Sequence, residues 1–128
     1  MKSLLVTNNK EVNEKFKDKM DVIYLEDYKY LEVLEFVRDK LHEGHLLLTH
    51  PLSSSIKPNE TPYKSIMISK ETTDLDIDGL AIIEDSILGT KKFMEIKPTP
   101  AWNEKVLEDF RVIDLSLMEN VIEKLGHY

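Results

Sequence analysis

Cysteine is absent from the 128-residue chain. Disulfides, thiolate nucleophiles, Cys-ligated zinc and Cys-ligated iron–sulfur clusters are therefore excluded, and the composition is compatible with a reducing cytoplasm. Glycine is scarce: only Gly44, Gly79, Gly89 and Gly126 occur, no two closer than ten residues. A Gly-rich dinucleotide turn or a Walker-type phosphate loop needs clustered glycines, so neither is expected in its usual form. Basic residues are the minority, 17 against 24 acids, for a formal net charge of −7. A surface of that sign has no general attraction for phosphate backbones or anionic lipid, so nucleic acid and membrane are not expected as partners. Long apolar runs are also missing. The start, Met1-Lys2-Ser3-Leu4-Leu5-Val6-Thr7, turns polar too soon for a signal peptide, and no stretch approaches the ~18 apolar residues of a membrane span. A soluble, cytoplasmic protein is the expectation.

What is present is an ordinary globular composition, 41% hydrophobic and 32% charged, rich enough in apolar residues to build a core rather than remain disordered. At ~150 residues per domain, residues 1–128 are expected to form one domain. Leu4-Leu5-Val6, Val22-Ile23-Tyr24-Leu25, Leu46-Leu47-Leu48 and Ile66-Met67-Ile68 read as short apolar strands. Between the first two, Asn8 and Glu11 resemble a capping box ahead of Val12, Phe16 and Met20 at fourfold spacing. Tyr30, Leu34, Val37 and Leu41 mark a second helix, with Gly44 placed for a left-handed cap. Leu80, Ile83, Ile87 and Met94 mark a third, from about Asp76 to Ile96. Thr99 and Pro100 suit the start of a fourth, while Arg111-Val112-Ile113-Asp114-Leu115 reads as a break or fifth strand before a fresh start at Ser116. Unbroken apolar strands alternating with helices predict an α/β fold: a three-layer, Rossmann-like sheet of four or five mostly parallel strands flanked by helices, in the order 2-1-3-4.

The functional signal lies in the sixteen residues between Leu48 and Ser65. Connections longer than ~12–15 residues without secondary structure are uncommon in compact domains, and are often functional. Pro51, Pro58 and Pro62 stiffen this one, and it leaves the carboxyl end of a predicted parallel strand, where open α/β sheets bind ligands. Thr49, Ser53, Ser54, Ser55, Asn59 and Thr61 supply hydroxyl or amide groups, and Lys57 and Lys64 supply cations. Donors and lysines on a rigid loop suit a carboxylate or phosphate. Thr7, Asn8 and Asn9 leave the first strand at the same rim, beside a helix N-terminus. These residues and His50 form the candidate site for a small anionic ligand. A catalytic version makes His50 the acid/base, with Ser53 to Ser55 and Glu60 nearby, although no strand-to-helix nucleophile elbow surrounds those serines.

Two further constellations are weaker. His42, His45 and His50 straddle a helix end and a strand, a spacing that strains a shared metal, so no metal or other cofactor is expected. Asp74, Asp76, Asp78 and Gly79 match the opening of an EF-hand loop. Its ninth position is Ile82 and its twelfth the short Asp85, so these acids read as a helix cap. Tyr24, Tyr28 and Tyr30 either border a pocket or pack.

The stretches Leu48 through Ser65, Ile83-Glu84-Asp85-Ser86, Asp109-Phe110 and Ile113-Asp114-Leu115-Ser116-Leu117 resemble the GrdX family over nearly the whole chain. That family comprises small proteins encoded beside the glycine, sarcosine and betaine reductase components of anaerobic amino-acid fermenters. The resemblance carries over no functional residue; it implies a setting, the cytoplasm of a fermentative anaerobe beside selenoenzyme machinery. Without cysteine, this chain is not expected to be a redox-active reductase subunit. Two expectations follow. One is an accessory or regulatory protein of that system, binding a small anion and partnering a reductase subunit. The other is a small enzyme acting on a carboxylate or phosphate metabolite. The amphipathic C-terminal helix leaves a homodimer open.

Overall fold

In the computed structural model, which describes residues 2–125, the first apolar run becomes β1 (Ser3–Thr7). It pairs in parallel with β2 (Asp21–Tyr24) across α1 (Lys10–Phe16). On its other side β1 pairs with β3 (Ser65–Ser69), and this pairing is antiparallel. The sheet order is β2-β1-β3. The predicted sheet of four or five mostly parallel strands is therefore wrong: the fold is α/β, but its sheet is a three-stranded mixed one.

Two local causes explain the difference. Leu46–Leu48 runs beside β3 but forms only an isolated antiparallel bridge, Leu47 to Ile68. In a full ladder, Leu46 and Leu48 would exchange paired bonds with Ser69 and Met67. Here Leu48 N donates to Met67 O and Ser69 N to Leu46 O, but both return bonds go to side chains. Leu46 N donates to Ser69 Oγ at 2.7 Å and Met67 N to Thr49 Oγ1 at 3.0 Å. His45 Nδ1 takes the freed Ser69 carbonyl at 2.7 Å. A continuous apolar run carries no direction, and the sixteen-residue connection lets β3 return antiparallel between this segment and β1.

The second cause is the C-terminal helix. Residues 111–115 are neither strand nor break, because α4 runs uninterrupted from Glu104 to Leu125, ~33 Å at 1.5 Å per residue. It contains no Gly or Pro. It starts four residues beyond Pro100, with Asn103 Oδ1 accepting from Val106 N at 3.0 Å. Ser116 lies inside it, so no fresh start occurs there.

The other helices follow the sequence reading more closely. α2 spans Tyr30–His42 and α3 spans Ile77–Ile96. Asp76 caps α3, Oδ1 accepting from Gly79 N at 2.9 Å, while its Oδ2 accepts from Leu47 N at 3.0 Å. Gly44, just past α2, has φ +107°, and a Cβ there would meet Thr73 O at 2.5 Å. Asn9, rather than Asn8, caps α1, accepting from Glu11 N.

Alternate strand residues face opposite cores. Val6, Ile66 and Ile68 meet Val33, Leu34, Val37, Leu41, Ile83 and Ile87 from α2 and α3. Leu5 and Met67 meet Val12 and Phe16 of α1 and Met118 and Ile122 of α4. No helix among the described residues is long and apolar enough to cross a membrane.

Candidate ligand cavity

The segment between Leu48 and Ser65 folds back over the rim where β1 ends and β3 begins. Asn8, the residue after β1, fastens it there. Its Nδ2 donates to Pro62 O at 2.8 Å and to Tyr28 O at 2.9 Å, and its Oδ1 accepts from Lys64 N at 2.8 Å. Farther back, Asn59 Nδ2 donates to Lys97 O at 3.0 Å and to Phe93 O at 3.3 Å, satisfying carbonyls at the end of α3. Trp102 Nε1 donates to Glu60 O at 2.7 Å. Arg111, 5% exposed, donates to Glu11, to Glu104 and, at 2.8 Å, to the Tyr63 hydroxyl. Its guanidinium thus joins α1, α4 and the segment.

Between this segment and α4 lies a cavity of about 130 Å³. Its polar lining comes from Ser54, Ser55, Thr61, Lys64 and Asp114, and Tyr30 and Tyr63 also border it. Ile56, Phe110, Ile113 and Leu117 supply apolar walls.

Two buried charges dominate it. Lys64 is 3% exposed and Asp114 8%. Asp114 Oδ2 accepts from Ser65 Oγ at 2.7 Å and Asn9 Nδ2 at 3.1 Å. Since the Ser65 proton points at the carboxylate, the Thr7 hydroxyl, 2.7 Å away, donates to Ser65 and accepts from Asn9 N. The Lys64 ammonium forms no hydrogen bond or ion pair among the described residues; it lies 5.8 Å from the centroid of the Tyr30 ring. Burial lowers the Lys64 pKa, a shift that the Asp114 charge opposes. Burial raises that of Asp114, against its hydrogen bonds from Ser65 and Asn9 and the charge of Lys64. Burial, with the Asp114 charge second, also pushes the Tyr30 hydroxyl up. An ammonium on a largely buried residue, with no hydrogen-bond or ion-pair partner among the described residues, is poised for a negative group.

The structure brings Ser54, Ser55, Thr61 and Lys64 of the sequence-derived set to the cavity. Thr7 and Asn9 lie beneath it in the network that holds Asp114, and Asn8 is the fastening. Thr49 completes the edge of β3 and Asn59 ties the segment to α3. Ser53 and Lys57 are exposed, and neither lines the cavity.

His50 is exposed and does not line the cavity either; its Nδ1 accepts from Leu52 N at 3.1 Å. Glu60 Oε1 accepts from Lys57 N and Ser54 Oγ from Ile56 N, so the structure does not assemble His50, a serine and Glu60 into a relay.

Sequence reasoning missed Asp114 and Arg111 as site residues. A signal existed: Arg111, Asp114, Met118 and Ile122 are spaced three, four and four apart, so two charges occupy the buried stripe of a helix. Reading 111–115 as a strand hid it.

Fold and site together define a small α/β protein with a cavity lined by one lysine and one aspartate. The sequence model of the GrdX-like protein family matches residues 4–123, and the chain belongs to that family. No curated protein and no solved structure matches it.

Proposed function

We propose that this protein is an accessory or regulatory component of the glycine, sarcosine and betaine reductase system, acting in the cytoplasm and binding a small ligand through an anionic group in the cavity under residues 49–64. The observation that carries the reading is Lys64, a residue 3% exposed that lines the cavity, whose ammonium has no hydrogen-bond or ion-pair partner among the described residues and only the Tyr30 ring beside it. Ser54, Ser55 and Thr61 bring hydroxyl groups to the same space. The floor is preorganised, since Asn8 fixes the Lys64 backbone before any ligand arrives. Family membership supports the setting.

The test has two parts. Melting curves with acetate, butyrate and inorganic phosphate should show stabilisation that Lys64→Met removes; saturation at a hundredfold excess over Kd corresponds to about 2.7 kcal/mol. Tagged protein, mixed with purified reductase components, should retain one of them. If no anion shifts the melting temperature and no reductase component is retained, the proposal fails.

A further inference from the structure

The cavity holds two charges of opposite sign that do not neutralise each other by contact. Lys64 and Asp114 both line it, and each feels the other's charge, yet they make no ion pair. Asp114 directs Oδ2 at Ser65 and Asn9, whereas Oδ1 accepts no hydrogen bond among the described residues. An ammonium and a carboxylate oxygen, each without a hydrogen-bond or ion-pair partner among the described residues, therefore belong to two residues that line one small space. A simple anion seated on Lys64 would also face the Asp114 carboxylate, a like-charge approach that a confined site penalises. A ligand carrying a cation beside its anionic group meets both. The apolar walls, Phe110, Ile113 and Leu117 of α4, leave room for a short aliphatic body.

We infer that the cavity binds a small aliphatic α-amino acid as its zwitterion, the carboxylate against Lys64 and the ammonium against Asp114. This rests on the anion-binding reading above and narrows it. α-Amino acids fit the chemistry because they carry both charges on one short body, suited to a cavity of about 130 Å³ lined by one lysine and one aspartate that form no ion pair. Asp114 is kept in place by Ser65 and Asn9, which Thr7 in turn positions, so the ammonium subsite is built before binding.

The experiment is isothermal titration calorimetry on the full chain with three probes of one shape: L-2-aminobutyrate, butyrate, which lacks the ammonium, and propylamine, which lacks the carboxylate. The expected result is that aminobutyrate binds roughly tenfold or more tighter than butyrate, as one buried charge-assisted hydrogen bond implies. Propylamine should bind weakest. Asp114→Asn keeps acceptor capacity for Ser65 and Asn9, and should erase the preference for aminobutyrate while leaving butyrate bound. Lys64→Met should abolish both, and circular dichroism and melting curves would establish that each variant is folded. Butyrate binding as tightly as aminobutyrate, or a preference that survives Asp114→Asn, overturns the zwitterion and leaves the anion reading standing. Absence of binding by all three overturns both.

Discussion

The two halves of the 49–64 segment are held in different ways. From His50 to Lys57, every hydrogen bond among the described residues stays within the segment: Leu52 N to His50 Nδ1, Ser53 N to His50 O, Ser54 N to Leu52 O, Ile56 N to Ser54 Oγ, Lys57 N to Glu60 Oε1 and Glu60 N to Lys57 O. From Asn59 to Lys64, almost every residue is tied elsewhere, to the end of α3, to Trp102, to Arg111 and to Asn8. Both halves line the cavity, Ser54 and Ser55 from the first, Thr61, Tyr63 and Lys64 from the second. The anchored half fixes geometry. The half without outside bonds is the one that local opening reaches at least cost.

The sharpest way to break this contrast is to remove the fastening. Asn8→Ala strands the amide of Lys64 and the carbonyls of Pro62 and Tyr28, and should cost about 3 kcal/mol in urea unfolding. Arg111→Met keeps the aliphatic stem but frees the Tyr63 hydroxyl and leaves Glu11 and Glu104 without their cation. A loss of about 2 kcal/mol is expected by the same measurement, together with faster proteolysis of the segment.

Replacing the cavity's charges should work in the opposite direction. Burial of Lys64 and Asp114 penalises both charged forms, so the double variant Lys64→Met with Asp114→Asn should be more stable than the native chain at neutral pH by about 1 kcal/mol. The pH dependence carries a sign. With its pKa raised from 3.8, folded Asp114 binds its proton more tightly than the unfolded chain does. Its contribution is complete below the unfolded value and is lost as pH rises through the folded one. The stability difference between Asp114→Asn and the native chain should therefore grow from pH 3.8 toward neutrality; a flat difference would overturn the assignment. The smallest effects belong to the free half. Ser53→Ala and Lys57→Ala, both at exposed positions outside the cavity lining, should each change stability by less than about 0.5 kcal/mol.

The segment itself was legible in the sequence, because its length, prolines and polar run set it apart from the periodic elements around it. Helices α2 and α3 were legible from their apolar spacing, and Gly44 from its place after the last turn. Three features were not. Strand direction leaves no mark in a run such as Ile66-Met67-Ile68, which alternates between two apolar cores whichever way it runs. The reduction of Leu46–Leu48 to a single bridge depends on Ser69, Thr49 and His45 capturing ladder partners, which only tertiary placement reveals. The role of each polar residue depends on what it meets. Asn8 and Lys64 are both buried polar side chains at the same rim, yet among the described residues the first spends its hydrogen bonds on the fold and the second makes none.

The capture of the Leu47 amide by Asp76 has a consequence for assembly. Leu46 and Leu48 turn their backbone groups toward β3, so Leu47 presents its own to the outside. Sheet margins with bare amides invite strand addition from a neighbouring chain. Here the helix cap reaches across and occupies the outward donor. The same aspartate that starts α3 thus blunts this margin against edge-to-edge aggregation.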